Sequence, residues 1–273
     1  MKMSAKKKQK SKKGDKKAST SILDKAEDIQ DSEGYISAVF YGRSGTGKTT
    51  VASTFPKPLL LLDFGDKGHD SIKDVEGVKR LLIQEWMDIE SVYWGLASGN
   101  HDFKSVIWDT VTGSQDTAIY KVKDDEGMDP TDPVSRRMWG EVSGLMKEWL
   151  INFRDLEMHT AFLAQERITK EEESEETEQD DDQIDPEVGP ATIPSVQKTL
   201  CASVKVVGHT YIKQVIKRLK GGKTKRVPKF MMRVGPHPYY TTKIRSPKDY
   251  EVPGSIDNPD FDKIQKIMKG EKL

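Results

Sequence analysis

GRSGTGKT at residues 42–49 matches the pattern G-x-x-x-x-G-K-[ST], and it decides the fold of the chain around it. An apolar run at 36–41 precedes the loop, and a short helical pattern at 47–55, stopped by Pro56, follows it. In the order strand, glycine loop, helix, the backbone N–H groups of such a loop point at phosphate oxygens. The pattern therefore predicts a phosphate-binding loop in an α/β domain.

The residues of this loop differ in the part of a nucleotide that each would contact. Lys48 is expected to reach the β- and γ-phosphates, and the Thr49 hydroxyl is expected to ligate Mg²⁺. The other predicted nucleotide contacts are Gly42, Arg43, Ser44, Gly45, Thr46, Gly47 and Thr50. The loop thus predicts a site for a nucleoside triphosphate and its magnesium ion.

Charge is strongly segregated although the formal net charge of the 273 residues is zero. Residues 2–17 hold nine lysines and one acid, whereas residues 171–187 hold eleven acids and no base. A second basic stretch spans 213–233. Segments this polar do not bury a core, so we predict a disordered basic tail at 1–32 and a disordered acidic loop at about 168–190.

The remaining composition favours a cytoplasmic protein without a membrane span. Cys201 is the single cysteine, which excludes an intramolecular disulfide and fits a reducing compartment. No apolar run approaches the length of a membrane helix, and the lysines of 2–17 are not followed by the apolar segment of a secretory signal.

Apolar runs of the β type alternate with helical patterns through the first two thirds of the chain. The predicted strands are 36–41, 58–63, 78–83, 105–109 and 158–164, and the predicted helices are 47–55, 85–98, 114–123 and 133–156. Continuous apolar strands between helices are typical of a mostly parallel sheet that is covered by helices on both faces. We therefore predict an α/β domain over residues 33–250.

The chain changes character after residue 210. Two β-type runs, 211–219 and 226–234, flank a Gly-Gly pair and predict a hairpin, with a third strand at 239–245. A short helix is predicted at 261–268, within a C-terminal extension of residues 251–273. The sheet should therefore finish in antiparallel strands.

Polar side chains at the ends of three predicted strands could complete the nucleotide site. Asp109 follows an apolar strand and is the candidate Mg²⁺ ligand, with a helix-capping role as the alternative. Asp63 and Asp66 could orient the attacking water, although a role in a turn fits either residue equally well. Gln165 could hydrogen-bond the γ-phosphate and report its loss to the loop that follows.

The order of these parts resembles the RecA/RadA class of recombinase ATPases, and in particular the compact single-domain proteins of bacteriophages grouped with the Sak-type annealing proteins. The resemblance covers residues 35–250 and is carried by 42–49, 106–109, 162–167 and 233–245. It implies a RecA-like core that binds ATP and Mg²⁺, with Gln165 coupling the nucleotide state to a DNA-binding loop. It also implies that Lys243 and Arg245 reach the γ-phosphate of a neighbouring subunit.

The same resemblance implies a function and partners. The expected function is ATP-dependent binding of single-stranded DNA in phage recombination or strand annealing, by a homo-oligomer that shares its active sites between subunits. Cooperation with a single-stranded-DNA-binding protein is also implied. Two basic segments, 2–17 and 213–233, compete for the role of holding DNA. Arg136 and Arg137 are the candidate DNA contacts within the core, and Trp139 is a candidate for base stacking, although its helical spacing favours a core position.

Two departures from that class leave alternatives open. The class places a glutamate about three residues past the second strand, where this chain has Gly65 and Asp66, so hydrolysis could be slow or use another base. The acidic run after Gln165 would repel DNA, so it is either a solvated loop or a mimic of nucleic acid. A small-molecule or nucleotide kinase using Arg136, Arg137 or Arg218, and a non-hydrolysing ATP-gated scaffold, are the competing functions.

Overall fold

The computed structural model describes residues 34–169, 187–218 and 224–273, and residues 35–273 form one compact unit. The predicted basic tail, all but the last residue of the acidic run 171–187, and the centre of the hairpin turn lie outside the described residues. Among the described residues, no helix combines the length and the apolar character that crossing a bilayer requires.

The element bounds follow the predicted alternation closely. The strands are β1 Ser37–Tyr41, β2 Leu59–Asp63, β3 Val78–Leu82, β4 Ser105–Asp109, β5 His159–Ala164, β6 Glu166–Thr169, β7 Glu187–Pro190, β8 Val206–Arg218, β9 Thr224–Arg233, β10 Lys243–Ile244 and β11 Ser255–Asp257. The helices are α1 Lys48–Ala52, α2 Trp86–Ala97, α3 Val111–Asp125, α4 Arg136–Arg154, α5 Pro194–Ser203 and α6 Phe261–Lys269.

The main sheet has nine strands, with β11-β9-β8-β1-β5-β4-β2-β3 as its spatial order and β10 paired to β8. In the stretch β1-β5-β4-β2-β3 of this order, all neighbouring strands are parallel. The first part of β8 is also parallel to β1, and it pairs Val206 with Ala38. Further along, β8 pairs with β9 in antiparallel fashion. A single strand therefore joins the parallel core to the antiparallel end of the sheet.

Helices cover both faces of this sheet, which confirms the predicted α/β fold with a mostly parallel sheet and antiparallel strands at its end. Helices α2, α3, α4 and α5 contribute buried side chains to one core, and α1 and α6 contribute to the other. Every residue of β1, β2 and β4 is buried, as expected for central parallel strands. This arrangement presents the carboxyl ends of β1, β2, β4 and β5 at one edge, where the predicted site residues meet.

The C-terminal part departs from the prediction. Only Lys243–Ile244 of the predicted strand 239–245 pairs in the main sheet. Residues 239–241 hydrogen-bond to β7 instead, because the Val188 amide donates to the Tyr239 carbonyl at 2.7 Å and the Thr241 amide donates to the Val188 carbonyl at 3.0 Å. The Tyr240 ring also stacks on His209 with 4.3 Å between ring centroids. The predicted helix is confirmed as α6, but its buried residues complete the second core, so residues 251–273 belong to the domain.

The segment around the acidic run is also more ordered than predicted. Residues 166–169 and 187–190 form the antiparallel pair β6–β7, so the predicted loop at 168–190 is wrong at both ends. The Tyr41 hydroxyl donates to the Val188 carbonyl at 2.9 Å and holds β7 against β1. Helix α5 then begins at Pro194, a residue that suits the first turn of a helix.

Candidate nucleotide-binding site

The phosphate loop takes the conformation that its glycines permit. Gly42, Gly45 and Gly47 have positive φ angles of 155°, 77° and 90°. A Cβ atom at Gly42 would lie 2.3 Å from the Thr210 carbonyl oxygen, so β8 approaches the loop too closely for any other residue. The Thr46 hydroxyl donates to the Arg43 carbonyl at 2.8 Å and closes the turn.

Lys48 is buried within this loop. Its ammonium group donates to the carbonyl oxygens of Gly42 and Arg43 at 2.8 and 2.9 Å, and lies 3.3 Å from the Gln165 amide oxygen. Burial lowers the pKa of Lys48, and the nearby carboxylates of Asp109, Asp66 and Glu166 oppose that shift. The lysine therefore sits at the centre of the loop, where phosphate oxygens could replace the carbonyl acceptors.

Thr49 and Asp109 meet as a magnesium site requires. The Thr49 hydroxyl donates to Asp109 Oδ2 at 3.0 Å, which places two hard oxygen ligands side by side. Burial is the main cause that raises the pKa of Asp109 to about 6, and the charges of Asp66 and Asp63 add to it. A divalent cation would offset this crowding of carboxylates, so the donor set fits Mg²⁺.

Asp63 and Asp66 are both engaged in hydrogen bonds. Asp63 is buried and accepts from the Gly65 amide at 2.8 Å and from Arg80 Nε at 2.7 Å. Asp66 accepts from the hydroxyl of Thr110, the residue that follows Asp109 and caps α3. Asp66 thus helps to position the end of β4, and its catalytic role stays a prediction.

Gln165 links Lys48 to the chain that returns after the acidic run. Its backbone amide donates to the Thr112 hydroxyl at 3.1 Å, and that hydroxyl donates to the Ala191 carbonyl at 2.8 Å. The Ala191 amide donates back to the Gln165 carbonyl at 2.7 Å. A movement of Gln165 relative to Lys48 would therefore displace the hydrogen-bonded residues Thr112 and Ala191, next to the first residues of the β6–β7 pair.

A charged network that sequence reasoning missed joins the phosphate loop to β8 and β9. Glu166 accepts from Arg43 Nε at 2.8 Å and lies 3.0 Å from His209 Nε2, while Arg233 lies 3.1 Å from His209 Nδ1. Burial raises the pKa of Glu166, but the bonds to His209 and Arg43 outweigh it and hold that pKa below its usual value. Glu166 is therefore an anion clamped between two elements of the site.

Aromatic rings enclose the far end of this network. The Arg233 guanidinium lies 4.0 Å from the centre of the Tyr211 ring and 4.3 Å from that of Tyr240. The partners of His209 are distant in sequence, by 43 residues for Glu166 and 24 for Arg233. No local spacing in the sequence predicts such a cluster. His209 is therefore interpreted from the sequence alone as an ordinary histidine without a functional role.

Lys243 and Arg245 lie away from the phosphate loop of their own chain. Lys243 pairs with Val207, at the level of Val39 in β1, whereas the loop follows the carboxyl end of that strand. The Lys243 ammonium group donates to the carbonyl oxygens of Cys201 and Ala202, at 2.5 and 3.0 Å, and caps the end of α5. Arg245 is exposed, and the action of either residue across a subunit interface stays a prediction.

The predicted DNA contacts lie at the start of α4. Arg136 is exposed, and Arg137 pairs with Glu126 and Glu141 at 2.6 and 3.2 Å. Trp139 is 38% exposed, so the core position that its spacing favours is wrong. Met138 and Val142 take the core positions instead, and the DNA-binding roles of the two arginines stay predictions.

Trp139 borders an open groove of about 490 Å³ beside Thr112 and Ala191, the two hydrogen-bond partners of the Gln165 backbone. Arg167 of β6, the first turn of α3 and the start of α5 form its other walls. The complete lining is Thr112, Gln115, Trp139, Arg167, Ala191, Thr192, Ile193 and Pro194. The groove therefore places Trp139, the candidate for base stacking, beside Thr112 and Ala191.

Comparison with known proteins gives a matching family and a similar solved structure. A family model described as an AAA domain (AAA_24) matches residues 34–246, and curated proteins give no match. Among solved structures, a crystal structure of the RadB recombinase is similar, with 11% sequence identity, a TM-score of 0.38, and coverage of 72% of this chain and 86% of that chain. Because the family match spans the phosphate loop, Asp109 and Gln165 and takes in most of the chain, this protein belongs to the AAA domain family.

Proposed function

We propose that this protein is an ATPase that binds single-stranded DNA in recombination or strand annealing, and that Mg·ATP controls its affinity for the DNA. Lys48 and the loop amides would hold the phosphates, and Thr49 and Asp109 would hold the Mg²⁺ that neutralises them. We further propose that the protein works as a homo-oligomer and cooperates with a single-stranded-DNA-binding protein, as the resemblance to recombinases implies.

The observation that carries this proposal is the position of Gln165. Its side-chain oxygen is 3.3 Å from Lys48 Nζ, and its backbone is bonded to Thr112 and Ala191 in the wall of the groove beside Trp139. A γ-phosphate that takes the ammonium group of Lys48 would compete with Gln165 for that donor. The presence of the phosphate would then shift the conformation of the groove wall, and this shift would couple nucleotide binding to DNA binding.

Replacing Gln165 by alanine is expected to remove the dependence of DNA binding on ATP. Coupling between two sites is typically worth about 5- to 150-fold in affinity, so wild-type protein should bind a fluorescent oligonucleotide more tightly by a factor in that range when Mg·ATP is present. In Gln165→Ala the two affinities should agree within about twofold. Fluorescence anisotropy with and without nucleotide measures both.

The matched control for that variant is Gln265→Ala, which removes a glutamine from α6 outside the site. It should keep the ATP-dependent gain of the wild type. A Gln165→Ala protein that retains the full gain would show that the nucleotide state reaches DNA by another route. A wild type that binds no oligonucleotide under either condition would overturn the proposed function itself.

A second candidate function is a scaffold that binds ATP without hydrolysing it. Asp63 at the end of β2 is hydrogen-bonded to Arg80, and Asp66, three residues later, is hydrogen-bonded to Thr110, so neither carboxylate is placed as an unhindered base. Single-turnover assays with and without single-stranded DNA distinguish the candidates. The ATPase predicts release of phosphate that DNA accelerates, whereas the scaffold predicts bound ATP that persists in both conditions.

Sharing of active sites between subunits is tested best with Arg245, because Lys243 also caps α5. Arg245→Ala and Lys48→Ala chains should each be inactive alone. Mixed in equal amounts, they should recover about a quarter of the wild-type turnover, because about one interface in four then combines an intact loop with an intact Arg245.

The mixture is read by ATPase assay after subunit exchange, with native mass spectrometry to show that mixed oligomers have formed. A mixture that stays inactive although mixed oligomers are present would contradict action across the interface. Full turnover of Arg245→Ala alone would contradict any role of this residue in hydrolysis. Lys248→Ala, a nearby exposed lysine, serves as the control that should leave turnover unchanged.

A further inference from the structure

The hairpin formed by β8 and β9 extends beyond the main sheet as a two-stranded ribbon. Its described residues, 212–218 and 224–230, pair with one another in register. The pairing of β11 with β9 reaches no further than Met231, and the Asn258 amide next to it donates to the Phe230 carbonyl at 2.8 Å. This ribbon carries six basic side chains, Lys213, Lys217, Arg218, Lys225, Arg226 and Lys229, and no acidic residue. The charge of the ribbon plays no part in the nucleotide site described above.

The register of the ribbon gathers four lysines on one face. Lys213 lies directly opposite Lys229, and Lys217 lies directly opposite Lys225, with a valine pair between them. Like charges in directly opposed positions destabilise a strand pair, so nothing in the folding of the ribbon favours this arrangement. The two lysine pairs stand about 13 Å apart along the strands, at about 3.3 Å per residue.

These lysines are open to solvent. Lys213, Lys217 and Lys225 are exposed and form no ion pair with any residue that the structure describes, while Lys229 pairs with Asp257. The face therefore presents a row of point charges with no built-in counterion along most of its length. That is the property of a surface that binds a polyanion.

The two faces of the ribbon have different surroundings. Side chains alternate along β8, so Lys213 and Lys217 lie on the side of the sheet that carries His209, the partner of Glu166. The opposite face carries Phe230, whose ring lies 3.3 Å from the place of a Cβ atom at Gly47. The lysine face thus lies on the side of the sheet that carries His209 and Glu166. The opposite face, which also carries Arg218 and Arg226, lies on the side of the phosphate loop.

We propose that this lysine face binds the sugar–phosphate backbone of single-stranded DNA. The inference rests on the proposed function and adds to it the surface that would carry most of the electrostatic attraction. Lysine ammonium groups on a flexible stem pair with phosphates without reading bases, and the only other side chains between them are Val215 and Val227. The interaction should therefore be independent of sequence and sensitive to salt.

The test is a triple variant, Lys213→Gln/Lys217→Gln/Lys225→Gln, in the full chain. The matched control is Lys248→Gln/Lys269→Gln/Lys272→Gln, which removes the same charge from exposed positions outside the ribbon. Affinity for a fluorescent oligothymidine is measured from 50 to 300 mM salt, with and without Mg·ATP. Circular dichroism and thermal unfolding check that both variants are folded.

The ribbon variant should bind DNA at least about tenfold more weakly than the control at 100 mM salt. Its slope of log affinity against log salt should be shallower by about 2, at about 0.7 for each phosphate that the variant no longer neutralises. Arginine at the same three positions should restore both quantities. Equal binding and equal slope in ribbon variant and control would overturn the inference while leaving the proposed function standing.

Two further outcomes are informative. Loss of binding to polyglutamate together with unchanged binding to DNA would identify the face as a docking surface for an acidic protein and would overturn the proposal. Failure of the wild type to bind DNA at all would overturn the proposed function, and the lysine inference with it. Nucleotide binding, measured with a fluorescent ATP analogue, should be the same in all of these proteins.

Discussion

Replacing Lys48 by alanine is expected to reduce ATP turnover at least about hundredfold and to weaken nucleotide binding. The ammonium group is the one charged side-chain donor that the loop directs into its own centre, where it holds the carbonyl oxygens of Gly42 and Arg43. A charge-assisted hydrogen bond is worth about 1.5–3 kcal/mol, which corresponds to about 10- to 150-fold in affinity. Loss of a donor to the transferred phosphoryl group typically costs a further factor of about 100–1000 in turnover.

Turnover is measured by phosphate release, and binding by titration with a fluorescent ATP analogue. Lys248→Ala removes an exposed lysine away from the loop and should behave as the wild type does. Lys48→Arg keeps the charge but carries a planar group into a buried cradle, so it should recover binding better than turnover. Wild-type turnover in Lys48→Ala would refute the assignment of the site.

The parallel core could be predicted from the sequence because each pattern that indicates one of its elements lies within a few consecutive residues. The glycine loop, the apolar run of β4 and the spacing of Met138, Val142 and Met146 each lie within one element. Elements that form through long-range pairing escaped prediction. The first part of β8 pairs with β1 although its residues are about 168 positions away, and β6 finds β7 only across the acidic run.

The candidate site shows the same division. Lys48, Thr49 and Asp109 were predictable because their spacing and position at strand ends carry the chemistry, and the structure brings them together. The clamp around Glu166 was not, because it needs β6, β8 and the phosphate loop to converge. Trp139 was misjudged because helical spacing gives the face of a helix only approximately, and its neighbour Met138 fills the core.

Replacing Asp109 by asparagine is expected to change stability and activity in opposite directions. Burial and the charges of Asp66 and Asp63 raise the pKa of Asp109 from 3.8 to about 6, so the ionised carboxylate destabilises the native state without Mg²⁺. A shift of this size corresponds to about 3 kcal/mol at high pH. The neutral amide removes that penalty and can still accept from Thr49, so Asp109→Asn should be more stable at pH 8 by about 1–3 kcal/mol.

The gain should depend on pH with a definite sign. Because the native pKa is raised, the wild type loses stability as the pH rises from about 4 through about 6, and the variant does not. At about 2–4 °C per kcal/mol for a domain of this size, melting temperatures should differ by roughly 2–12 °C at pH 8 and should converge below pH 4.

Mg·ATP should reverse this order, since a ligand stabilises only the protein that binds it. The melting temperature of the wild type should rise with Mg·ATP, and the wild type should hydrolyse ATP. Asp109→Asn should gain little melting temperature and hydrolyse ATP at least about hundredfold more slowly, because its neutral amide holds Mg²⁺ poorly.

Asp63→Asn is the control that tests the burial argument. The Asp63 carboxylate is neutralised by Arg80, so its replacement should destabilise the protein at pH 8. A less stable Asp109→Asn at pH 8 would contradict the crowding of carboxylates, and normal turnover would contradict the magnesium site. The two readouts fail independently, because the first depends on the burial of Asp109 and the charges around it, and the second depends on the metal that this carboxylate would hold.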